Sequence, residues 1–368
     1  MQELFKKNFG FGCMRLPMVD EEVDVAEMTK MVDTFIENGF DYFDTAHGYL
    51  GGKSEKALKE CLTSRYPRES YILVNKLSTY HFEKEEEIRP LFDNLLECCG
   101  VEYFDLFLLH AQDKEIFKKY KKCRAYEHAF EFKREGRVKH VGLSFHDKAE
   151  VLDEILTTYP EIEVVQIQLN YIDMLDSAVD SKRVHEVCLK HNKPIIVMEP
   201  VKGGSLVNMP ENAKKELLSL GGGSVASYAI RYAASQENVK MVLSGMGSME
   251  MMNDNISYMK DFKPIEPHEQ EAIDRVCEIL KAEDIIPCTA CRYCTETCPQ
   301  NIKIPEIFAC MNGKNTHKNW NSSYYYDIHT QNAKASDCIQ CGACEAICPQ
   351  HLEIRELLKK AAADFENE

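Results

Sequence analysis

Eight short runs rich in β-branched and aromatic residues recur at residues 10–16, 42–45, 71–76, 106–110, 140–144, 164–170, 194–199 and 240–244. Stretches with apolar residues at helical spacing separate them, at 25–38, 54–62, 88–99, 127–135, 149–158, 181–191 and 224–235. A strand followed each time by a helix is the pattern of an α/β protein with a parallel sheet, and eight such units predict a closed (β/α)8 TIM barrel. An open doubly wound sheet is the alternative. It calls for a glycine-rich phosphate loop after the first strand, and the chain has no G-x-G-x-x-G.

Beyond residue 282 the strand pattern stops and cysteine takes over. Cys288, Cys291, Cys294 and Cys298 form one C-x2-C-x2-C-x3-C-P run, and Cys338, Cys341, Cys344 and Cys348 form a second, 50 residues later. This is the spacing of bacterial two-cluster ferredoxins, in which the fourth cysteine of each run ligates the other run's cluster. Three thiolates on one short loop hold three corners of an iron–sulfur cube, and the other run fills the fourth. Structural zinc prefers paired C-x-x-C units or histidines, and disulfide frameworks belong to small secreted chains. Two [4Fe–4S] clusters are therefore expected, one on Cys288, Cys291, Cys294 and Cys348, the other on Cys338, Cys341, Cys344 and Cys298. The expected division is a barrel over residues 1–282 and a small, mainly helical domain over 283–368, with helices at 304–311 and 354–362.

Composition narrows the partners. A net charge of −16 argues against nucleic acid, whose phosphates would be repelled. The basic run Lys118, Lys119, Lys121, Lys122 reads as the solvated face of a helix, because Phe117 and Tyr120 recur at helical spacing. No apolar run approaches a membrane span, and the first residues lack a signal-peptide stretch. Eight cysteines outside the two runs point to a reducing compartment, so a cytoplasmic location with no membrane partner is expected.

Active sites of (β/α)8 barrels lie at the C-terminal ends of the strands. The second strand ends in Asp44, with Tyr49 on the loop after it; the third ends in Lys76 and the fourth in His110. Each alone has an ordinary reading: a helix cap, a structural ion pair, a core histidine. Together they predict one catalytic group. A buried Lys76 beside Tyr49 is expected to lower the phenol pKa, with Asp44 balancing Lys76 and His110 donating to a substrate oxygen. Tyr49 would then be the general acid toward a carbonyl receiving hydride. His47, in the same loop, reads as a titratable group at the mouth or as a solvated histidine.

At this point the chain resembles the aldo-keto reductases. The segments that carry the resemblance are Phe43-Asp-Thr-Ala-His-Gly-Tyr49, the Lys76 strand, Asp105-Leu-Phe-Leu-Leu-His110, Gly136-Arg-Val-Lys-His-Val-Gly-Leu-Ser144, Gln166-Ile-Gln-Leu-Asn-Tyr171 and Ser244-Gly-Met-Gly-Ser-Met-Glu250 with Asp254 and Asn255. They occur in the family's order over about residues 5 to 260. The resemblance implies a catalytic tetrad of Asp44, Tyr49, Lys76 and His110, and an NADP(H) or NAD(H) cofactor bound without a Rossmann motif. It implies further that Ser144 and Gln168 hold the nicotinamide carboxamide. Met198, Glu199, Pro200 and Val201, with Gly245 and Gly247, would line the pyrophosphate, and Asp254 and Asn255 would reach the adenine. Met251 stands where many NADPH-preferring members place a polar group, and Lys202 is the cation expected to compensate. Phe145 and His146 follow Ser144 in place of the common Asn. The cysteine domain resembles helical two-cluster ferredoxin domains, and the whole chain resembles the reductase subgroup that carries such an extension.

The expected function is an NAD(P)H-dependent oxidoreductase acting on a small carbonyl or alcohol, with the clusters serving electron transfer or structure. Hydride transfer moves two electrons and each cluster one, and no flavin motif is present to split the pair. The alternative is an electron-transfer protein served by a ferredoxin or flavoprotein, whose barrel is a nucleotide-binding or sensor module.

Overall fold

Strands form where the apolar runs predict them, and they close into a ring. The computed structural model describes residues 2–176, 179–282, 285–317 and 322–366. The eight strands are β1 (Phe9–Gly12), β2 (Tyr42–Asp44), β3 (Ile72–Leu77), β4 (Phe104–Gln112), β5 (Val138–Phe145), β6 (Val164–Gln168), β7 (Ile195–Met198) and β8 (Val239–Ser244). Each pairs in parallel with its neighbours, and β1 pairs with both β2 and β8, so the sheet is a closed barrel. The doubly wound alternative is thereby excluded. A short antiparallel hairpin, Met18–Val19 with Glu22–Val23, sits outside the ring.

The barrel's centre is a packed core of alternate strand residues: Tyr42, Ile72, Val74, Leu106, Leu108, Val164, Ile196, Met241 and Leu243, joined by Leu4. The core is full enough that a Cβ at Gly10 would lie 2.8 Å from both Leu243 and Tyr42 side chains. Helices cover the outside. Val25–Glu37 is capped by Asp24, whose carboxylate accepts from Glu27 N–H at 3.0 Å, and it buries Met28, Met31, Val32 and Phe35. The basic run lies on the helix Lys114–Lys122, which buries Phe117 and Tyr120 and leaves its lysines outward, as expected.

Contacts divide the chain into two compact units that do not follow chain order. One comprises Met1–Pro200 and Ala229–Ile265, the other Val201–Tyr228 and Glu266–Glu368. The expected boundary at residue 283 lies outside the described residues. Within the second unit the helix Glu211–Leu218 packs on Pro267–Ala282, where Arg275 Nε donates to Glu216 Oε2 at 2.7 Å.

The cysteine segment of the second unit is helical and internally repeated. Helices Tyr293–Glu296 and Ala343–Ala346 begin inside the two cysteine runs, and Ile304–His317 and Ile354–Phe365 follow them. The left-handed residues repeat at the same interval: Ala290 and Gln340 (φ +52° and +59°), Arg292 and Gly342 (+69° and +80°), Asn301 and His351 (+54° and +51°). Ile302, Ile304, Ile307, Phe308, Ile354 and Leu358 form a core between the halves. Among the described residues no helix is long and apolar enough to cross a membrane.

Candidate active site and cysteine centres

Strand alternation delivers the first site. Tyr42, Val74 and Leu108 face the packed barrel centre. Two residues onward, the same strand faces carry Asp44, Lys76 and His110. Lys76 Nζ donates to Asp44 Oδ1 at 2.5 Å and to the Thr45 carbonyl at 2.7 Å, and both side chains are buried. Burial pulls the ammonium below its ordinary pKa and pushes the carboxyl above its own, and their contact opposes both shifts.

Tyr49 opens the turn Tyr49–Gly52 after β2. Its ring centre lies 4.7 Å from Lys76 Nζ and 6.1 Å from the His110 ring, at a steep angle to it. The expected lowering of the Tyr49 pKa is not what this geometry produces. Burial first, then the Asp44 carboxylate, push the phenol well above 10. Lys76 faces the ring and is engaged by Asp44 and Thr45. Tyr49 is thus held protonated.

His110 is oriented by a residue the sequence did not single out. Ser78 Oγ lies 2.6 Å from His110 Nδ1. Burial, then the charges of Lys76, His146 and His81, hold the imidazole well below 6.5, so it is neutral. A β-bulge follows: Leu109 pairs with Leu143 and Gln112 with Phe145, three residues against two. Ala111, left-handed at φ +52°, donates its N–H to Ser144 Oγ at 2.7 Å. Ser78 sits two residues after Lys76, and that period-two position was the signal that could have found it.

The residues expected to hold a nicotinamide line neighbouring strand ends. Gln168 is buried; its Nε2 donates to Asp173 Oδ2 at 2.8 Å, and its Oε1 has no protein partner. A buried amide oxygen left open this way fits the amide N–H of a carboxamide. Ser144 is buried beside it in strand order. Met198, Glu199 and Pro200 close β7, whereas Val201 belongs to the second unit. Glu199 is left-handed (φ +56°), its Oε1 lies 3.4 Å from Arg15 Nη2, and its Oε2 is buried without a partner. Arg15 and Glu199 both act on Tyr49, and neither was expected as a charge at this site. Gly245 and Gly247 pass close to Arg15, at 3.4 and 3.6 Å from where their Cβ atoms would be. Asp254 is partly exposed. Asn255 is buried and tied to the barrel itself, donating to Ser244 Oγ at 2.7 Å and accepting from Tyr258.

Two loop expectations change. His47 is no solvated histidine: its Nδ1 lies 2.6 Å from Glu55 Oε2, a buried carboxylate that raises the imidazole pKa. Lys202, the cation expected to compensate, is not at the surface. It is buried in the second unit with Nζ 2.5 Å from Gln350 Oε1.

The cysteines gather in two groups. Cys298, Cys338, Cys341 and Cys344 line one cavity with Ile302, Ile304, Ile339 and Leu358. Burial raises Cys288 and Cys294 to about 12, and each is raised further by Cys291 and Cys348, which therefore lie beside them. In both groups three cysteines come from one run and the fourth from the other. Each set of four thiols on a repeated left-handed turn fits a cubic cluster.

The aldo/keto reductase family profile matches residues 8–278, and a 4Fe-4S dicluster domain profile matches residues 287–353. L-galactose dehydrogenase of Arabidopsis thaliana is 25% identical over 293 residues, covering 74% of this chain and 90% of that enzyme. The 4-dihydromethyl-trisporate dehydrogenase of Mucor mucedo is 36% identical over 107 residues, 27% of this chain and 30% of that enzyme. The fold matches an aldo-keto reductase of Klebsiella pneumoniae solved with NADPH, at TM-score 0.58 and 16% identity, over 73% of this chain and 90% of that one. The chain belongs to the aldo/keto reductase family, an oxidoreductase barrel that continues into a 4Fe-4S dicluster domain.

Proposed function

We propose that this protein reduces a small aldehyde or ketone with NADH or NADPH, and that Tyr49 is its general acid. The convergence of Asp44, Tyr49, Lys76 and His110 at three successive strand ends carries the reading. Gln168 and Ser144 would hold the carboxamide, the open Gln168 Oε1 accepting its N–H. Met198, Glu199, Pro200, Gly245 and Gly247 would line the pyrophosphate, and Asp254 and Asn255 would reach the adenine. A dihydronicotinamide held there would supply hydride to the carbonyl carbon. His110 takes the tautomer in which Ser78 Oγ–H donates to Nδ1, which leaves Nε2–H for the carbonyl oxygen. Tyr49 gives its proton to the same oxygen as negative charge develops there. Lys76, held by Asp44 and Thr45, stabilises the phenolate that results.

Cys288, Cys291, Cys294 and Cys348 would hold one [4Fe–4S] cluster, and Cys298, Cys338, Cys341 and Cys344 the other. Cys341 is exposed, which favours one-electron exchange with an external ferredoxin or flavoprotein over a purely structural role. Oxygen-sensitive clusters and cysteines kept as thiols suit the cytoplasm.

The test is anaerobic purification, iron and sulfide analysis, and turnover of a panel of aldehydes and ketones with each nicotinamide. Tyr49→Phe should lower kcat by roughly 100-fold or more while nucleotide binding persists. Equal turnover by wild type and Tyr49→Phe would remove Tyr49 from the chemistry. No carbonyl turnover at all, with nucleotide still bound, would favour the sensor barrel.

A further inference from the structure

The turn that follows β7 behaves unlike an ordinary loop. Lys202, Gly203 and Gly204 are all left-handed, with φ of +48°, +64° and +96°. Glycine adopts this at no steric cost, but lysine does so rarely, and the strain persists only where surroundings enforce it. Burial adds a second cost: Lys202 is 2% exposed. A lysine that is both strained and buried calls for an explanation beyond packing.

Its surroundings supply one. Lys202 Nζ lies 2.5 Å from Oε1 of Gln350, two residues beyond Cys348. Gln350 is itself buried, and its Nε2 has no protein partner. Next along the turn, a Cβ on Gly203 would lie 2.2 Å from the carbonyl oxygen of Thr289, between Cys288 and Cys291. The turn therefore closes on both cysteine runs, and at one place: the group formed by Cys288, Cys291, Cys294 and Cys348. Backbone N–H groups of Leu352, Gln350 and His351 and the Lys202 ammonium lie around Cys348. The other group has a different environment. Glu345 lies beside Cys344, and Arg355, near Gly342, is engaged by that same Glu345 at 2.8 Å.

We propose that Lys202 sets the order of reduction of the two clusters, by placing a buried positive charge against the one held by Cys348 and raising its potential above the other's. The proposal rests on the cluster assignment given above. The step is a one-electron reduction from [4Fe–4S]2+ to [4Fe–4S]+, with the electron from an external one-electron donor such as a reduced ferredoxin. No bond forms or breaks and no proton moves. A cation in a low-dielectric site favours the more negative cluster state, and Coulomb attraction there is weakly screened.

The test is a mediated redox titration of the intact anaerobic protein with dithionite, read by electron paramagnetic resonance. Cys341→Ser, which alters only the exposed corner of the other site, identifies which signal belongs to which cluster. Lys202→Met should lower the Cys348 cluster's reduction equilibrium constant about tenfold, a shift of about 59 mV, and leave the other cluster in place. Lys202→Arg, which keeps the charge, should restore most of it. Iron and sulfide contents are measured on every variant, so a failure of the cluster assignment appears as missing metal rather than as an unshifted potential. If Lys202→Met does not load fully, Lys202→Gln is compared with Lys202→Arg in its place. Fully loaded neutral variants with unshifted potentials overturn the proposal, as does a shift confined to the other cluster.

Discussion

Tyr49 and His110 are held in protonation states that their surroundings impose. Burial and Asp44 hold the Tyr49 phenol well above 10, so it remains an acid across the ordinary pH range. Burial first, then the Lys76 charge, hold His110 well below 6.5, so it remains neutral. The direction of pH dependence follows for each direction of reaction. Carbonyl reduction needs the phenol, so its kcat/KM should stay level from pH 6.5 to about 9 and fall only in more acid solution, as His110 gains a proton. Alcohol oxidation needs the phenolate, so its rate should climb with pH through the same range without levelling. Parallel pH profiles with a reduced and an oxidised substrate check this, and a reductive rate that halves near neutrality would contradict the imposed protonation of Tyr49. Lys76 depends on its partner in the same way. Removing Asp44 leaves a buried ammonium uncompensated, so Asp44→Ala should cost about 3–5 kcal/mol of barrel stability, seen as an earlier thermal transition. All four catalytic candidates were legible in the sequence because Asp44, Lys76 and His110 close apolar runs and Tyr49 follows on the loop after the first of them. Their protonation was not, because it is set by burial and by neighbours from other strands.

The elements themselves were largely legible. β6 starts at Val164 and the helix Ala149–Thr158 spans the residues expected, since apolar runs and helical spacing both survive packing. β4 is longer than expected, reaching Gln112 through the bulge at Ala111. Nothing local in His110-Ala111 announces that bulge, which depends on register with β5. The helix Glu211–Leu218 was missed because its short amphipathic pattern lies in a long connection. At the start of β4, Asp105 pins three elements together. Its carboxylate accepts from Leu73 N–H at 2.9 Å, Arg68 Nη2 at 2.6 Å and Lys139 Nζ at 2.9 Å. Asp105→Ala should lower the thermal transition by several degrees, at a cost of about 3 kcal/mol, with the kcat of the remaining folded protein little changed. A loss of kcat at unchanged stability would place Asp105 in the chemistry instead.

At the scale of the whole molecule, the cysteine centres should govern the second unit's stability. Cys294 and Cys344 are part of its apolar core, and Cys288, Cys298, Cys338 and Cys348 pack against it. Metal release from such a centre leaves thiols where a covalent cage had joined the two halves. Stripping the clusters with a chelator under oxidation should therefore abolish amide-exchange protection in residues 285–317, 322–366 and 201–228, and leave it in the barrel strands. Retained protection around residue 304 in the stripped protein would show that the apolar core suffices without metal. The sequence by itself determined the barrel, the cysteine pairing to expect and the strand-end residues, because these are properties of local period and spacing. Only the tertiary structure decided that Tyr49 is held as an acid, that Ser78 orients His110 and that Lys202 turns to the cysteine runs. Those outcomes depend on which groups share a buried space, and residues as distant in the chain as Lys202 and Gln350 meet only once the second unit has closed.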